Sequence, residues 1–145
     1  PEYVPETYSR LLGGFVESNI CFTQKPDPLM IIADREMNLF VPLVLNPTRF
    51  QPFNGSYKLY RTRLQFANDG QNRRCTLHFD ELRCGAAEMY ANGALVFSAG
   101  RILEKPVEVT FETGGLESME LRILITASGV ADCDGIRGFV TVAVE

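Results

Sequence analysis

Apolar and polar residues alternate along much of this chain with a period of two, the pattern of β-strands that have one face buried. The alternation is cleanest at 107–112, where valine and phenylalanine alternate with glutamate and threonine. With turn residues between the apolar stretches, the pattern predicts ten short strands, at 15–23, 29–33, 37–45, 57–66, 73–79, 85–91, 94–98, 107–112, 119–127 and 136–144. Short strands at this spacing predict an all-β fold, an antiparallel β-sandwich of jelly-roll type with nine or ten strands.

The dipeptide Asn92-Gly93 is the strongest local signal, because it lies between two β-type stretches. A type I′ turn needs positive φ at both central residues, and asparagine and glycine tolerate this best. The dipeptide therefore predicts a tight hairpin. Asp80-Glu81 predicts an acidic turn after the strand 73–79. Pro42 predicts that its strand lies at a sheet edge or carries a bulge, because proline cannot donate to a ladder.

The first 14 residues differ in character from the rest of the chain. Residues 1–14 predict an irregular N-terminal arm, in which Pro5 could begin and Gly13 end a single helical turn. Residues 15–145 are predicted to form one β-sandwich domain, which is an ordinary size for a domain with its own core.

The order of features from Tyr60 to Ala127 resembles the N-terminal sugar-binding jelly roll of glycoside hydrolase family 2, the β-galactosidase and β-glucuronidase group. The matching pieces are a Tyr-Arg strand, a Leu-x-Phe-Asp strand, a small-residue strand with an Asn-Gly hairpin, a lone strand and a Leu-x-Ile-x-Ile strand, here 60–65, 77–80, 86–93, 107–111 and 121–125. In that family this module is not catalytic, and the catalytic acid and nucleophile lie on a separate barrel. The resemblance therefore implies a binding or scaffolding domain.

Composition limits the classes of partner that the chain is expected to bind. The chain has 145 residues, 46% hydrophobic and 22% charged, with a net charge of -4 and a pI of about 5.1. An acidic chain argues against nucleic acid as a main partner, because phosphate binding needs a basic surface. No apolar stretch is long enough for a membrane-spanning helix. The sequence begins at Pro1, which leaves open a fragment, a mature form or the loss of an initiator methionine.

The four cysteines form no metal-binding motif, and His78 is the only histidine, so the sequence predicts no zinc site and no cofactor. Cys75 and Cys84 could face each other across neighbouring strands and form a disulfide; the alternative is that all four thiols are reduced and act as small hydrophobic residues. The loop 132–135 (Asp-Cys-Asp-Gly) is weighed as a calcium loop against a plain hairpin turn.

Catalytic chemistry has weak support in this sequence. A glycosidase needs two carboxyl groups held at a defined separation across a sugar, and Asp80 and Glu81 diverge if they are adjacent in a turn. Glu88 is the nearest further carboxylate. The alternation predicts that His78 faces the side opposite Leu77 and Phe79. An exposed or hydrogen-bonded histidine on a sheet is the favoured interpretation, rather than a general base. We therefore predict that the chain has no catalytic residues and is not an enzyme.

Sugar binding needs an aromatic face that stacks on C–H groups, and planar hydrogen-bonding side chains beside it. Phe50 is an additional loop aromatic, and the chain has no tryptophan. The strand 57–66 also places Tyr60 on a common face with Leu64 and Phe66. The candidate ligand-binding residues are Tyr57, Tyr60, Arg61, Asp69, Phe53 and Asn54.

Two functions follow from these observations. The first is a non-catalytic carbohydrate-recognition module. The alternative is a structural subunit of a larger assembly, such as a virion decoration, cement or tail protein, that packs on neighbouring subunits or forms a homo-oligomer through residues 1–14. Both functions favour an extracellular or virion-surface location over the cytoplasm.

Overall fold

A computed structural model of the protein describes residues 8–11, 16–17, 24–31, 39–40, 56–129 and 134–145. Every element of regular structure in these segments is a β-strand. The strands are β1 (Tyr8–Leu11), β2 (Val16–Glu17), β3 (Leu39–Phe40), β4 (Tyr57–Gln65), β5 (Arg74–Cys84), β6 (Ala86–Ala91), β7 (Ala94–Ala99), β8 (Ile102–Glu112), β9 (Ser118–Thr126) and β10 (Gly135–Val144). The all-β class predicted from the sequence is confirmed.

The described strands form two antiparallel sheets that pack face to face. The four-stranded sheet has the order β1-β10-β5-β8, and the six-stranded sheet has the order β3-β2-β4-β9-β6-β7. Alternate side chains of both sheets fill one shared core, which includes Leu77 and Phe79 of β5 and Leu121 and Ile123 of β9, each fully buried. Because each strand buries every second residue, its other face is left for water or for a covering segment.

The predicted Asn-Gly hairpin is confirmed. Asn92 and Gly93 have φ values of 50° and 85°, as a type I′ turn requires, and they join β6 to β7. Gly114 and Gly115 also have positive φ, in the turn between β8 and β9. The alternation at 107–112 is seen directly, because its valines and phenylalanine are buried while its polar residues are exposed.

The acidic turn predicted at Asp80-Glu81 is wrong, because β5 continues through both residues to Cys84. A shift in register with β8, between Phe79 and Leu82, absorbs the irregularity within the strand. The disulfide alternative for Cys75 and Cys84 is also wrong. Neither cysteine is in a disulfide, and both are buried on this one strand, nine residues or about 30 Å apart.

The N-terminal predictions are partly wrong. Residues 8–11 do not belong to an irregular arm, since β1 pairs with β10 at the edge of the four-stranded sheet. Residues 29–31 are not in a strand, because the chain turns at Asp27–Met30: the backbone N–H of Met30 donates to the Asp27 carbonyl at 3.0 Å. β3 lies at an edge of the six-stranded sheet, as predicted, whereas Pro42 lies outside the described residues.

Candidate functional site

The outward side of the six-stranded sheet, called the outer face here, carries both polar and aromatic side chains among the described residues. On β4 the alternation sends Tyr60 and Leu64 into the core and leaves Tyr57, Arg61 and Arg63 on the outer face. On β9 and β6 the same alternation leaves polar side chains outward, namely Glu120, Arg122, Glu88 and Tyr90.

Strand register brings three of these side chains into one row. Arg61 of β4 lies directly opposite Arg122 of β9, and Arg122 lies opposite Tyr90 of β6. Neighbouring strands are about 4.8 Å apart, so the row spans roughly 10 Å. Two arginines placed directly opposite each other repel, and the pairing needs compensation by nearby acceptors.

Acceptors around Arg122 supply that compensation. Its Nε donates to Oε1 of Glu120 at 2.7 Å, and its Nη1 donates to the carbonyl oxygens of Pro28 and Met30, at 3.1 and 2.6 Å. Only 11% of the Arg122 side chain is exposed. The guanidinium therefore fastens the segment 24–31 to the outer face, and its charge is largely satisfied within the protein.

The segment 24–31 covers the apolar end of the outer face. Leu59 and Leu124 point outward from the sheet yet are buried, because Met30 and Tyr57 pack against them. Glu88 of β6 lies directly opposite Leu124, and its Oε2 is 2.6 Å from Nζ of Lys25, which belongs to the segment 24–31. The opposite end of the outer face, beyond the row of Arg61, Arg122 and Tyr90, takes no part in these contacts.

Hydrogen bonds set the protonation of Glu88 and Tyr90. Donation from Lys25 and from the Tyr90 hydroxyl, at 2.6 and 2.8 Å, lowers the pKa of Glu88 below its usual value. Burial and the bond to Glu88 raise the pKa of Tyr90 to about 12. Glu88 is therefore ionised and Tyr90 neutral near pH 7, which suits hydrogen bonding and leaves Glu88 unsuited to act as a general acid.

The predicted site residues do not all meet. Tyr57 and Arg61 share the outer face, four residues apart on β4 and thus about 13 Å along the strand. Tyr60 is only 2% exposed and belongs to the core, so it offers no ring face to a ligand, contrary to its selection as a candidate. The other aromatic candidates, Phe50 and Phe53, lie with Asn54 outside the described residues.

Asp69 lies in the loop that follows β4, and its carboxylate is engaged by its own loop. Oδ1 accepts from Nη1 of Arg73 at 2.9 Å and from the backbone N–H of Gln71 at 3.0 Å, and Oδ2 accepts from Nη2 of Arg73. The hydrogen bond from Arg73 is the main reason that the pKa of Asp69 falls to about 2. The arrangement stabilises the loop and gives no sign of a ligand position.

Sequence reasoning missed Tyr90 and Arg122 as site residues. Each lies between inward apolar neighbours, Met89 and Ala91 for Tyr90, and Leu121 and Ile123 for Arg122. Their outward direction follows from the alternation, but their proximity to Arg61 depends on cross-strand register, which the alternation leaves open.

The outer side of the four-stranded sheet carries His78. Its Nδ1 lies 3.3 Å from Oε1 of Glu108 and its Nε2 lies 3.7 Å from Oδ1 of Asp80. His78 faces away from buried Leu77 and Phe79, so its predicted orientation is confirmed.

In the parts of the chain that the structure describes, no group of three or more histidine, cysteine, aspartate or glutamate side chains is placed to hold a metal ion. Asp134 of the candidate calcium loop is buried, and its Oδ2 accepts from the Ser128 N–H at 2.8 Å. Residues 132 and 133 of that loop lie outside the described residues. Within the same segments, no helix has the length and apolarity to cross a membrane.

No protein-family model matches the chain, and no curated protein matches it in sequence. Solved structures of glycosidases do match it in fold. A Faecalibacterium prausnitzii β-glucuronidase is 15% identical with a TM-score of 0.65, over 99% of this chain and 32% of that one. A Bacteroides uniformis β-glucuronidase is 11% identical with a TM-score of 0.66, over 95% of this chain and 18% of that one. A glycosyl hydrolase family 2 member from Bacteroides cellulosilyticus is 13% identical with a TM-score of 0.63, over 97% of this chain and 21% of that one.

The predicted resemblance to glycoside hydrolase family 2 is confirmed at the level of the fold. The likeness extends over nearly the whole chain, whereas the sequence pattern carries it only from 60 to 127. The chain spans between 18% and 32% of the length of these three glycosidases. Identities of 11–15% show a shared fold and do not transfer activity or ligand.

Proposed function

We propose that this chain is a non-catalytic β-sandwich module that recognises carbohydrate through the outer face. The observation that carries the proposal is that Arg61 and Tyr90 lie on either side of Arg122 on this face, which places an aromatic ring and a planar hydrogen-bonding group on one surface. A sugar offers C–H faces for a ring and hydroxyls for such groups. The fold likeness to parts of glycosidases, proteins that act on glycosidic bonds by their names, supports the same class of ligand.

Two carboxylates of the outer face support the non-catalytic part of the proposal. Glycoside hydrolysis needs one carboxyl group that is protonated and a second that is ionised across the scissile bond. On the outer face, Glu88 is held ionised by Lys25 and Tyr90, and Glu120 is bound to Arg122. Neither carboxylate is placed to donate a proton to a leaving group.

The assembly-subunit alternative loses part of its basis. It rested on residues 1–14 as an arm free to pack on a neighbour, but Tyr8–Leu11 form β1 and pair with β10 of the same chain. The named structures of similar fold are glycosidases. Carbohydrate recognition is therefore the function that we propose.

Isothermal titration calorimetry against a panel of soluble oligosaccharides tests the proposal. We expect at least one to bind in the micromolar to millimolar range, and Tyr90→Ala and Arg61→Ala each to weaken binding about tenfold or more. Thr110→Ala, on the outer side of the four-stranded sheet, is the matched control and should bind like the wild type. A panel without any binder, or equal loss in the control, would contradict the proposal.

A further inference from the structure

The turn between β6 and β7 places an asparagine side chain and a glycine nitrogen next to each other at the surface. Asn92 and Gly93 are both exposed, with φ values of 50° and 85°. The backbone nitrogen that follows an asparagine can attack the carboxamide carbon, and glycine hinders this attack least because it has no Cβ. A Cβ built on Gly93 would meet nothing within 4 Å, so the turn is open to solvent on that side.

Two hydrogen bonds connect Asn92 to β9. Its backbone N–H donates to the Glu120 carbonyl at 2.7 Å, and its Oδ1 accepts from the Glu120 N–H at 3.0 Å. The second bond draws electron density from the carboxamide carbon and lies beside the oxygen on which negative charge develops during an attack. Among the described residues, none accepts a hydrogen bond from the Gly93 N–H, so the attacking nitrogen has no bond to give up.

Asn72 has the first of these features and lacks the second. It is exposed, and its Oδ1 accepts from the Gly114 N–H at 2.8 Å. The nitrogen that follows it belongs to buried Arg73, whose backbone N–H donates to Oγ1 of Thr113 at 3.0 Å. This N–H must lose its hydrogen bond before its nitrogen can attack, which costs free energy in a buried position. Asn72 is therefore an internal control for Asn92.

We propose that Asn92 is a site of spontaneous deamidation in the folded protein. The Gly93 nitrogen gives its proton to hydroxide and forms a bond to Cγ of Asn92. The bond from Cγ to Nδ2 then breaks, and Nδ2 takes a proton from water and leaves as ammonia, so that a cyclic imide remains. Water opens the imide at either of its carbonyl carbons, which gives aspartate or isoaspartate at position 92. Water is the only co-reactant, and no oxidation or reduction takes place.

The two products differ in their effect on the hairpin. Aspartate keeps the main chain unchanged, and its carboxylate can accept from the Glu120 N–H as the carboxamide does. Isoaspartate adds one methylene group to the main chain, and a two-residue type I′ turn cannot hold the added length in the same register. Isoaspartate therefore breaks the link to Glu120, which holds the end of β6 against β9.

Peptide mapping by mass spectrometry, after incubation of the whole chain at pH 8, tests the proposal. We expect Asn92 to deamidate about tenfold or more faster than Asn72, with isoaspartate among the products. The other Asn-Gly pair, 54–55, lies outside the described residues and is followed separately on its own peptide. Similar rates at Asn92 and Asn72 would overturn the proposal, as would an intact Asn92 at a time when an isolated peptide of residues 90–95 has reacted.

Urea unfolding of the incubated protein tests the effect on the hairpin. The fraction that contains isoaspartate should unfold at a lower urea concentration than fresh protein, whereas Asn92→Asp should unfold close to the wild type. Asn92→Gly is the matched control, because a Gly-Gly pair also suits a type I′ turn and has no carboxamide to lose. Its midpoint should not change during incubation. An isoaspartate fraction as stable as fresh protein, or an equal loss in Asn92→Gly, would refute the link between deamidation and the hairpin.

Discussion

Gly85 marks the point where the chain leaves one sheet for the other, and replacing it should damage the sandwich. It separates β5 of the four-stranded sheet from β6 of the six-stranded sheet, and its N–H donates to the Thr126 carbonyl at 2.7 Å. A Cβ placed on Gly85 would lie 2.4 Å from the carbonyl oxygen of Ala127 and 3.3 Å from the Cα of Ser128. These are backbone atoms, so no rotamer change relieves the clash.

The size of the effect follows from that geometry. Overpacking that forces a backbone shift costs about 1–3 kcal/mol. In a domain of this size, a loss of ~2 kcal/mol lowers the Tm by about 4–8 °C. Gly85→Ala should therefore be less stable than the wild type by this amount in both urea and thermal unfolding, with an unchanged m-value because the surface exposed on unfolding is the same.

Gly100→Ala is the control for Gly85→Ala. A Cβ at Gly100 meets nothing within 4 Å, so only the lower entropy of the unfolded chain changes, which is neutral or stabilising by up to about 1 kcal/mol. Equal unfolding midpoints for Gly85→Ala and Gly100→Ala would refute the close approach at the sheet crossing, and with it the path of the chain between the two sheets.

Three further changes test other parts of the structure. Gly93→Val should lose about 1–3 kcal/mol in urea unfolding, because a β-branched residue is strained at φ 85°, and wild-type stability would show that the turn is misassigned. Asp69→Asn should be less stable than the wild type at pH 7, and this difference in stability should vanish between pH 4 and pH 2. The pKa of Asp69 in the folded protein is about 2, below its usual value, so the stability that its carboxylate contributes is lost as the pH falls through that window. A difference that stayed constant with pH would contradict the pairing with Arg73. Peptide mapping after iodoacetamide treatment at pH 8 should find Cys75 and Cys84 unmodified in the folded protein and modified in guanidinium. Both cysteines are buried, and burial raises the pKa of Cys84 to about 11. Rapid labelling of the folded protein would contradict their burial.

Local alternation predicted most of the fold from residue 56 onward. Seven strands were located there from periodicity and turn residues, since each buries alternate side chains against one core. The lengths of β5 and β8 were underestimated for one reason. Asp80-Glu81 and Pro106 resemble turn signals, but they fall where the two strands shift register, and β8 is an edge strand that tolerates proline.

The candidate site was less predictable than the fold. Tyr57 was selected as an aromatic residue and Arg61 because it is near Tyr57 in sequence, and the structure places both on the outer face. Tyr60 was also selected as an aromatic residue, yet the one-residue offset from Arg61 turns its side chain into the core. Tyr90 and Arg122 reach Arg61 only through the pairing of three strands, and no periodicity within a single strand specifies which strands become neighbours.

Amide chemical-shift mapping tests the central claim most directly, because it reports both whether a sugar binds and where. The labelled protein would be titrated with an oligosaccharide that binds in calorimetry, or with the whole panel if none does. We expect the largest shifts at Arg61, Tyr90 and Arg122, with the four-stranded sheet around His78 unaffected. Shifts confined to the four-stranded sheet, or none with any oligosaccharide, would contradict carbohydrate recognition by the outer face.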